Sequence, residues 1–229
     1  MFNNKIIKIV KFKLLFAFFL LGSVNLLWAQ FPEIKTDLDR QVKSFLEENA
    51  ENWWVGVPMS DGKVLYDIII ENNYKSAVEI GTSTGHSAIW IGWALSKTGG
   101  KLITIEIDTN RYLQAVENFK KAGLADFIDA RLGNARELVL ALDGKYDFVF
   151  SDGDINWTKN YFIILDPKIV VGGCFTRHDV EKKFLMRIIY GNSRNVTAFV
   201  RHVKGKKNYK TTFNRDGKGI SISYKTKEK

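Results

Sequence analysis

The chain has 229 residues, 45% hydrophobic and 26% charged, which excludes a disordered or low-complexity polymer and suffices to bury one domain. A single cysteine, Cys174, excludes an internal disulfide framework and any multi-cysteine metal centre, and three histidines (His86, His178, His202) exclude a histidine-rich cage. The net charge of +9 sits at the two ends, because residues 1–29 hold four lysines and no acid while residues 201–229 hold ten basic residues against Asp216 and Glu228; the middle is slightly acidic, so no nucleic-acid partner is expected.

Lys5 to Lys13 form a positive segment ahead of the apolar run Leu14–Leu21, and Ala29 offers a small residue before Gln30. That run is too short for the roughly 20 residues that span a bilayer. Residues 1–29 are therefore expected to be a signal peptide or, failing cleavage, a membrane anchor, with the chain exported (periplasmic or secreted) or membrane-anchored. Residues 30–60 form an N-terminal helical extension, in which Thr36 caps a helix with Leu38, Val42, Phe45 and Leu46 on one face. Within the main domain, 61–229, a helix at about 63–72 precedes a regular alternation. Strands are expected at 76–80, 101–107, 127–132, 146–151 and 169–176, and helices at 85–97, 109–122, 134–142 and 158–166. A helix near 181–190 and strands near 196–203 and 219–225 complete it. This spacing predicts an α/β fold with a doubly wound parallel sheet and right-handed crossovers.

Ligands of such sheets sit outside the carboxyl ends of the strands. The loop after the first strand, Glu79-Ile-Gly-Thr-Ser-Thr-Gly-His-Ser87, spaces its glycines as G-x-x-x-G. Ser83 stands where a dinucleotide fold needs glycine, which disfavours NAD and FAD, and no phosphate-binding P-loop pattern is present. A tight turn backed by a helix N-terminus suits an amino-acid carboxylate. Glu106, at the end of the second strand, is placed to accept hydrogen bonds from both hydroxyls of a ribose.

Together these stretches resemble the S-adenosylmethionine-dependent O-methyltransferases related to the catechol and caffeoyl-CoA enzymes. The resemblance rests on Ala77–Ala88, Leu102–Asp108, Phe119–Leu124 and Tyr146–Asp152. It implies a mostly parallel, seven-stranded, Rossmann-like class I methyltransferase fold and methylation of a hydroxyl on a small-molecule acceptor. It further implies that Gly81, Ser83, Gly85 and Ser87 line the methionine end of the donor, and that Glu106 and Ile107 serve the ribose and adenine. Gly133, Asn134, Ala135 and Arg136 would border the adenine ring, and Asp152 would face the sulfonium. Family members complete a divalent metal site with Asp-Asn after the Gly-Gly strand, where this chain has His178-Asp179. Where the catechol enzymes carry a lysine, it has Ile155. Asp152, His178 and Asp179 form an N,O set suited to manganese, iron or zinc; without metal, His178 or Asp154 is the available base. The changed residues also leave open an exported, non-catalytic binding protein that keeps the fold.

Other residues carry two readings each. Trp53 and Trp54 either cap an aromatic acceptor or pack ordinarily. Cys174 is expected to be a small core residue. The basic stretch Arg201–Lys210 is a solvated face or a contact with anionic lipid headgroups, and a homodimer is left open.

Overall fold

The computed structural model describes residues 31–50, 56–180 and 193–228. The segment 1–29, Trp53–Trp54 and the helix near 181–190 lie outside the described residues. The chain divides into two units, Met1–Ile34 and Lys35–Lys229, and the second contains all the elements that follow.

Among the described residues, seven strands form one sheet in the order β3-β2-β1-β4-β5-β7-β6. They are β1 (Ser76–Ile80), β2 (Lys101–Glu106), β3 (Ile128–Leu132), β4 (Tyr146–Ser151), β5 (Ile169–His178), β6 (Tyr209–Asn214) and β7 (Ile220–Lys225). The first five run parallel, and β7 lies antiparallel to both β5 and β6. β1 and β4 are buried almost end to end, as parallel strands covered on both faces must be. Register then fixes the site. Ile80 pairs with both Ile105 and Ser151, and Ser151 with Arg177, which brings Gly81, Glu106, Asp152 and His178 to one end of the sheet.

The described helices are α1 (Asp37–Glu48), α2 (Met59–Asn72), α3 (His86–Thr98), α4 (Thr109–Lys121), α5 (Ala135–Leu138), α6 (Thr158–Leu165) and α7 (Ser193–Lys204). α1 starts with a reciprocal capping box between Thr36 and Asp39. The second oxygen of Asp39 accepts a 2.7 Å hydrogen bond from the Trp93 indole, so one carboxylate both caps α1 and ties it to α3. Trp90 and Trp93 are fully buried, with the Tyr66 ring of α2 packed edge-on at 5.2 Å from Trp93. A second cluster joins Val78, Ile80 and Val149 to Phe162, Phe175 and Phe199 under α6 and α7. Cys174 is fully buried within β5.

Several expected elements differ. The segment near 196–203 is helix α7 rather than a strand, because Phe199 and Val203 recur at four-residue spacing and both are fully buried while Arg201 and Lys204 face solvent. His202 therefore lies on a helix, edge-on to Phe162 at 5.8 Å. β6 departs from the expected elements, its short alternation interrupted by Lys210 and preceded by Lys206 and Lys207. The basic stretch 201–210 is thus divided among α7, the turn at 205–208 and β6 and is not one solvated face: Lys206, in the turn, pairs with Asp166 at 2.8 Å and Lys204 sits over Phe213. The helix expected at 134–142 is a single turn, α2 begins at Met59, and β5 runs two residues further, to His178.

Candidate functional site

Four loops, at the carboxyl ends of β1, β2, β3 and β4, build the site. Gly81 takes φ +92, and a Cβ there would lie 2.7 Å from the Gly153 backbone nitrogen, so only glycine lets the first loop abut the β4 loop. Ser83 is also left-handed, at φ +50. Its strain is held by Glu106, whose Oε2 accepts the Ser83 N–H at 2.6 Å. Glu106 Oε1 accepts two more backbone N–H groups, from Ile107 and Asp108, each at 3.0 Å. No side chain caps the first turn of α3, which leaves its N-terminal donors and positive dipole end directed at the loop.

These loops enclose a cleft of about 850 Å³. Gly81, Ser83, Ser87, Glu106, Ile107, Gly133, Asn134, Ala135, Arg136 and Asp152 all line it. Gly85 does not; its missing side chain makes room for Phe119, 2.5 Å from where a Cβ would sit, so its role is packing of α3 against α4. Ile107 is 69% exposed in the cleft wall, an apolar surface with nothing against it. Sequence reasoning missed Val57, His86, Arg111 and Tyr161 as lining residues. His86 is buried, which lowers its imidazole to about 4 and keeps it neutral. Its Nδ1–H donates to the Val57 carbonyl at 2.6 Å and its Nε2 accepts the Trp90 indole N–H at 3.3 Å, tethering the segment before α2 to α3. Position at a helix start was its only sequence signal. Asp154 lines the cleft too, with its carboxylate bound to Arg136 at 2.5 Å, and the guanidinium lies over Trp157.

Beneath the cleft lie charged groups that face one another. Asp152 Oδ1 accepts from Arg177 at 3.1 Å and its Oδ2 meets His178 Nδ1 at 3.2 Å. His178 Nε2 meets Asp61 Oδ2 at 2.9 Å, and that oxygen also accepts the Lys218 N–H at 2.8 Å. Burial would lower the His178 pKa, but hydrogen bonds to Asp152 and Asp61 outweigh it and raise it to about 9. Burial would likewise raise the Asp152 carboxyl, yet His178 and Arg177 hold it below its ordinary range.

His178, expected as a metal ligand or base, is 3% exposed and lies outside the cleft lining, held between Asp152 and Asp61. Asp152 and His178, expected with Asp179 as a metal set, are hydrogen-bonded to one another, Asp152 also to Arg177 and His178 also to Asp61. Among the described residues no three acidic, histidine or cysteine side chains are arranged to hold one.

One further acid lies behind the glycine loop. Glu79 is fully buried, with its carboxyl accepting from Thr104, and burial pushes it up to about 8.

Residues 33–180 match the family model described as O-methyltransferase. Over 112 residues the chain is 33% identical to a catechol O-methyltransferase of Niastella koreensis, covering 47% of this chain and 50% of the relative. Over 139 residues it is 32% identical to caffeoyl-CoA O-methyltransferase 1 of Eucalyptus globulus, covering 58% and 56%. The chain thus spans about half the length of these curated relatives. Its fold is shared with the O-methyltransferase TomG of Streptomyces achromogenes, solved in complex with SAM (TM-score 0.72, 20% identity, 90% of this chain and 96% of that one). It is shared equally with a Bacillus cereus O-methyltransferase in complex with SAH (TM-score 0.71, 21% identity, 84% and 92%).

Proposed function

Because the chain belongs to the O-methyltransferase family, we propose that its cleft binds S-adenosylmethionine and that the domain methylates a hydroxyl of a small-molecule acceptor. The bound donor supplies a methyl group on a cationic sulfonium. The observation that carries this reading is the convergence, in one cleft, of three features matched to three parts of the donor. The uncapped first turn of α3 suits its carboxylate. Glu106 suits a ribose hydroxyl, since three backbone N–H groups occupy three of the about four acceptor sites of its carboxylate and leave one for the ligand. Ile107, 69% exposed, and Ala135 line the same cleft and offer the adenine ring apolar surface.

Calorimetric titration of the purified full-length chain with S-adenosylmethionine tests the reading. One-to-one binding is expected, and a folded protein that takes up no donor overturns it. The relatives are named for catechol and caffeoyl-CoA, so the first acceptor panel consists of ring hydroxyls, with and without a neighbouring hydroxyl. Donor binding without transfer to any of them would leave a binding protein that keeps the fold.

The charge and hydropathy of residues 1–29 support export or membrane anchorage of this domain. Mass measurement of the native N-terminus separates the two: a start at Gln30 marks cleavage, and an intact Met1 in the membrane fraction marks an anchor. A soluble cytosolic species with Met1 contradicts both.

A further inference from the structure

We propose that the end of the sheet opposite the cleft is a docking surface for an anionic phospholipid bilayer, which holds the domain with its cleft turned toward water. The proposal takes its membrane from the export or anchorage reading of residues 1–29 and does not depend on methyl transfer.

Register gathers this surface. Tyr146 pairs with Ile169 and Tyr209 with Lys225, so the starts of β4, β5 and β6 and the end of β7 lie together, away from the loops that build the cleft. Lys145, Lys168, Lys207 and Lys227 flank those strand ends. Lys145 donates to the Pro167 carbonyl at 2.8 Å, and Lys168 to the Val139 and Leu140 carbonyls at 3.3 Å each. Such bonds fix the ammonium groups and leave their charge in place. Lys207 and Lys227 are exposed, and the Thr226 N–H, donating to the Asn208 carbonyl at 2.9 Å, brings their two segments together. Among the described residues none of the four pairs with a carboxylate, whereas Asp166 is bound by Lys206 and Glu228 by Lys225, each at 2.8 Å. Asp143, exposed two residues before Lys145, offsets one of the four charges. Beside Lys168, Leu140 is 63% exposed. Unneutralised lysines around an exposed leucine suit an anionic bilayer surface, which rewards each lysine electrostatically and accepts the apolar side chain at its headgroup boundary.

The point where the chain enters the domain is a second observation. β1 and β2 start at Ser76 and Lys101, at that same end, and α3 finishes just before β2, at Thr98. Lys97, in the last turn of α3, donates to the Thr36 hydroxyl at 3.3 Å and pairs with Asp39. α1 therefore begins opposite the cleft, and the polypeptide that precedes Lys35 is joined to the domain there. A segment suited to a membrane and a basic surface with an exposed leucine thus belong to one end of the domain.

The test uses the native protein, with whichever N-terminus it carries, and an environment-sensitive dye attached through Leu140→Cys. Cys174, the only native cysteine, is fully buried and leaves position 140 as the site of labelling. Vesicles of phosphatidylcholine mixed with phosphatidylglycerol should shift the dye emission to the blue, and vesicles of phosphatidylcholine alone should not. The same dye attached through Lys159→Cys, at the exposed start of α6 on the cleft side, should stay unshifted on both. Combining Lys145→Glu, Lys207→Glu and Lys227→Glu should abolish the shift at position 140. Should that variant not fold, molar salt reads the same claim on the unreversed protein, because screening should release the surface and restore the emission seen in buffer. A dye at position 140 that does not move, that moves equally on neutral vesicles, or that keeps its shift after charge reversal or in salt overturns the proposal, as does a shift at position 159. Failure of the anchorage reading shows separately, as a soluble cytosolic Met1 species in the mass measurement, and leaves the vesicle result to stand or fall by itself.

Discussion

Glu106 holds the first loop and faces the cleft at once, and a pair of substitutions separates the two roles. Glu106→Ala removes the acceptor for Ser83 as well as the one offered to a ribose, and should weaken donor binding by about 1.5–3 kcal/mol in calorimetry. Glu106→Gln keeps one carbonyl acceptor and should lose less; equal losses would mean that charge, not loop geometry, carries the effect. Glu79 sets a pH dependence whose sign follows from its burial. Its folded pKa of about 8 lies above the ordinary 4.5, so the native state holds this proton more tightly than the unfolded chain. The corresponding stability is present in acid and is lost as pH rises through about 8. Melting curves should show Glu79→Gln gaining on the wild type between about pH 5 and pH 9, and a pH-independent difference would contradict this. Glycine spacing made Gly81 legible as a functional position in the sequence, but its closest neighbour is Gly153, on a loop 72 residues away. Gly85 belongs to the same motif and turned out to serve Phe119 instead. A motif records that a backbone must turn tightly and does not say what it turns against.

At the scale of elements, α1 depends on one carboxylate. Asp39→Ala would undo the capping box, orphan the Trp93 indole and free Lys97, and should cost about 2–3 kcal/mol in chemical denaturation. Asp39→Asn keeps an acceptor for the cap and the indole and should recover part of it. A loss no larger than an ordinary cap would show that α1 does not share the core's stability. The elements whose periodicity is unambiguous, β1 to β4 with α3 and α4, were legible within a few residues, whereas the helix between β3 and β4 proved a single turn. α7 was not, because Val196, Thr197, Phe199, Val200 and Val203 are residues that strands prefer, and only the buried spacing of Phe199 and Val203 exposes the helix. For β6, Lys206 and Lys210 made a short strand look like a charged surface, although Lys206 is spent on Asp166.

At the scale of the molecule, the cleft was readable because parallel strands deliver their loops to one end, each loop directly after its strand. The ionic set below it was not, since Asp61 meets His178 across 117 residues and Lys218 across 157, and no stretch of sequence contains the pairing. Donor binding should stabilise the whole cooperative unit, by about 2.7 kcal/mol at one hundred times its dissociation constant, read as a rise in melting temperature. An unchanged melting temperature at saturating donor would place the ligand elsewhere. The last strand, β7, lies inside the sheet, between β5 and β6. A growing chain that has emerged only as far as α7 therefore shows β5 as a bare edge, with the Lys218 amide not yet delivered to Asp61. Such a nascent chain can pair its parallel strands but offers the β5 hydrogen-bonding edge to a neighbour until the β6–β7 hairpin covers it.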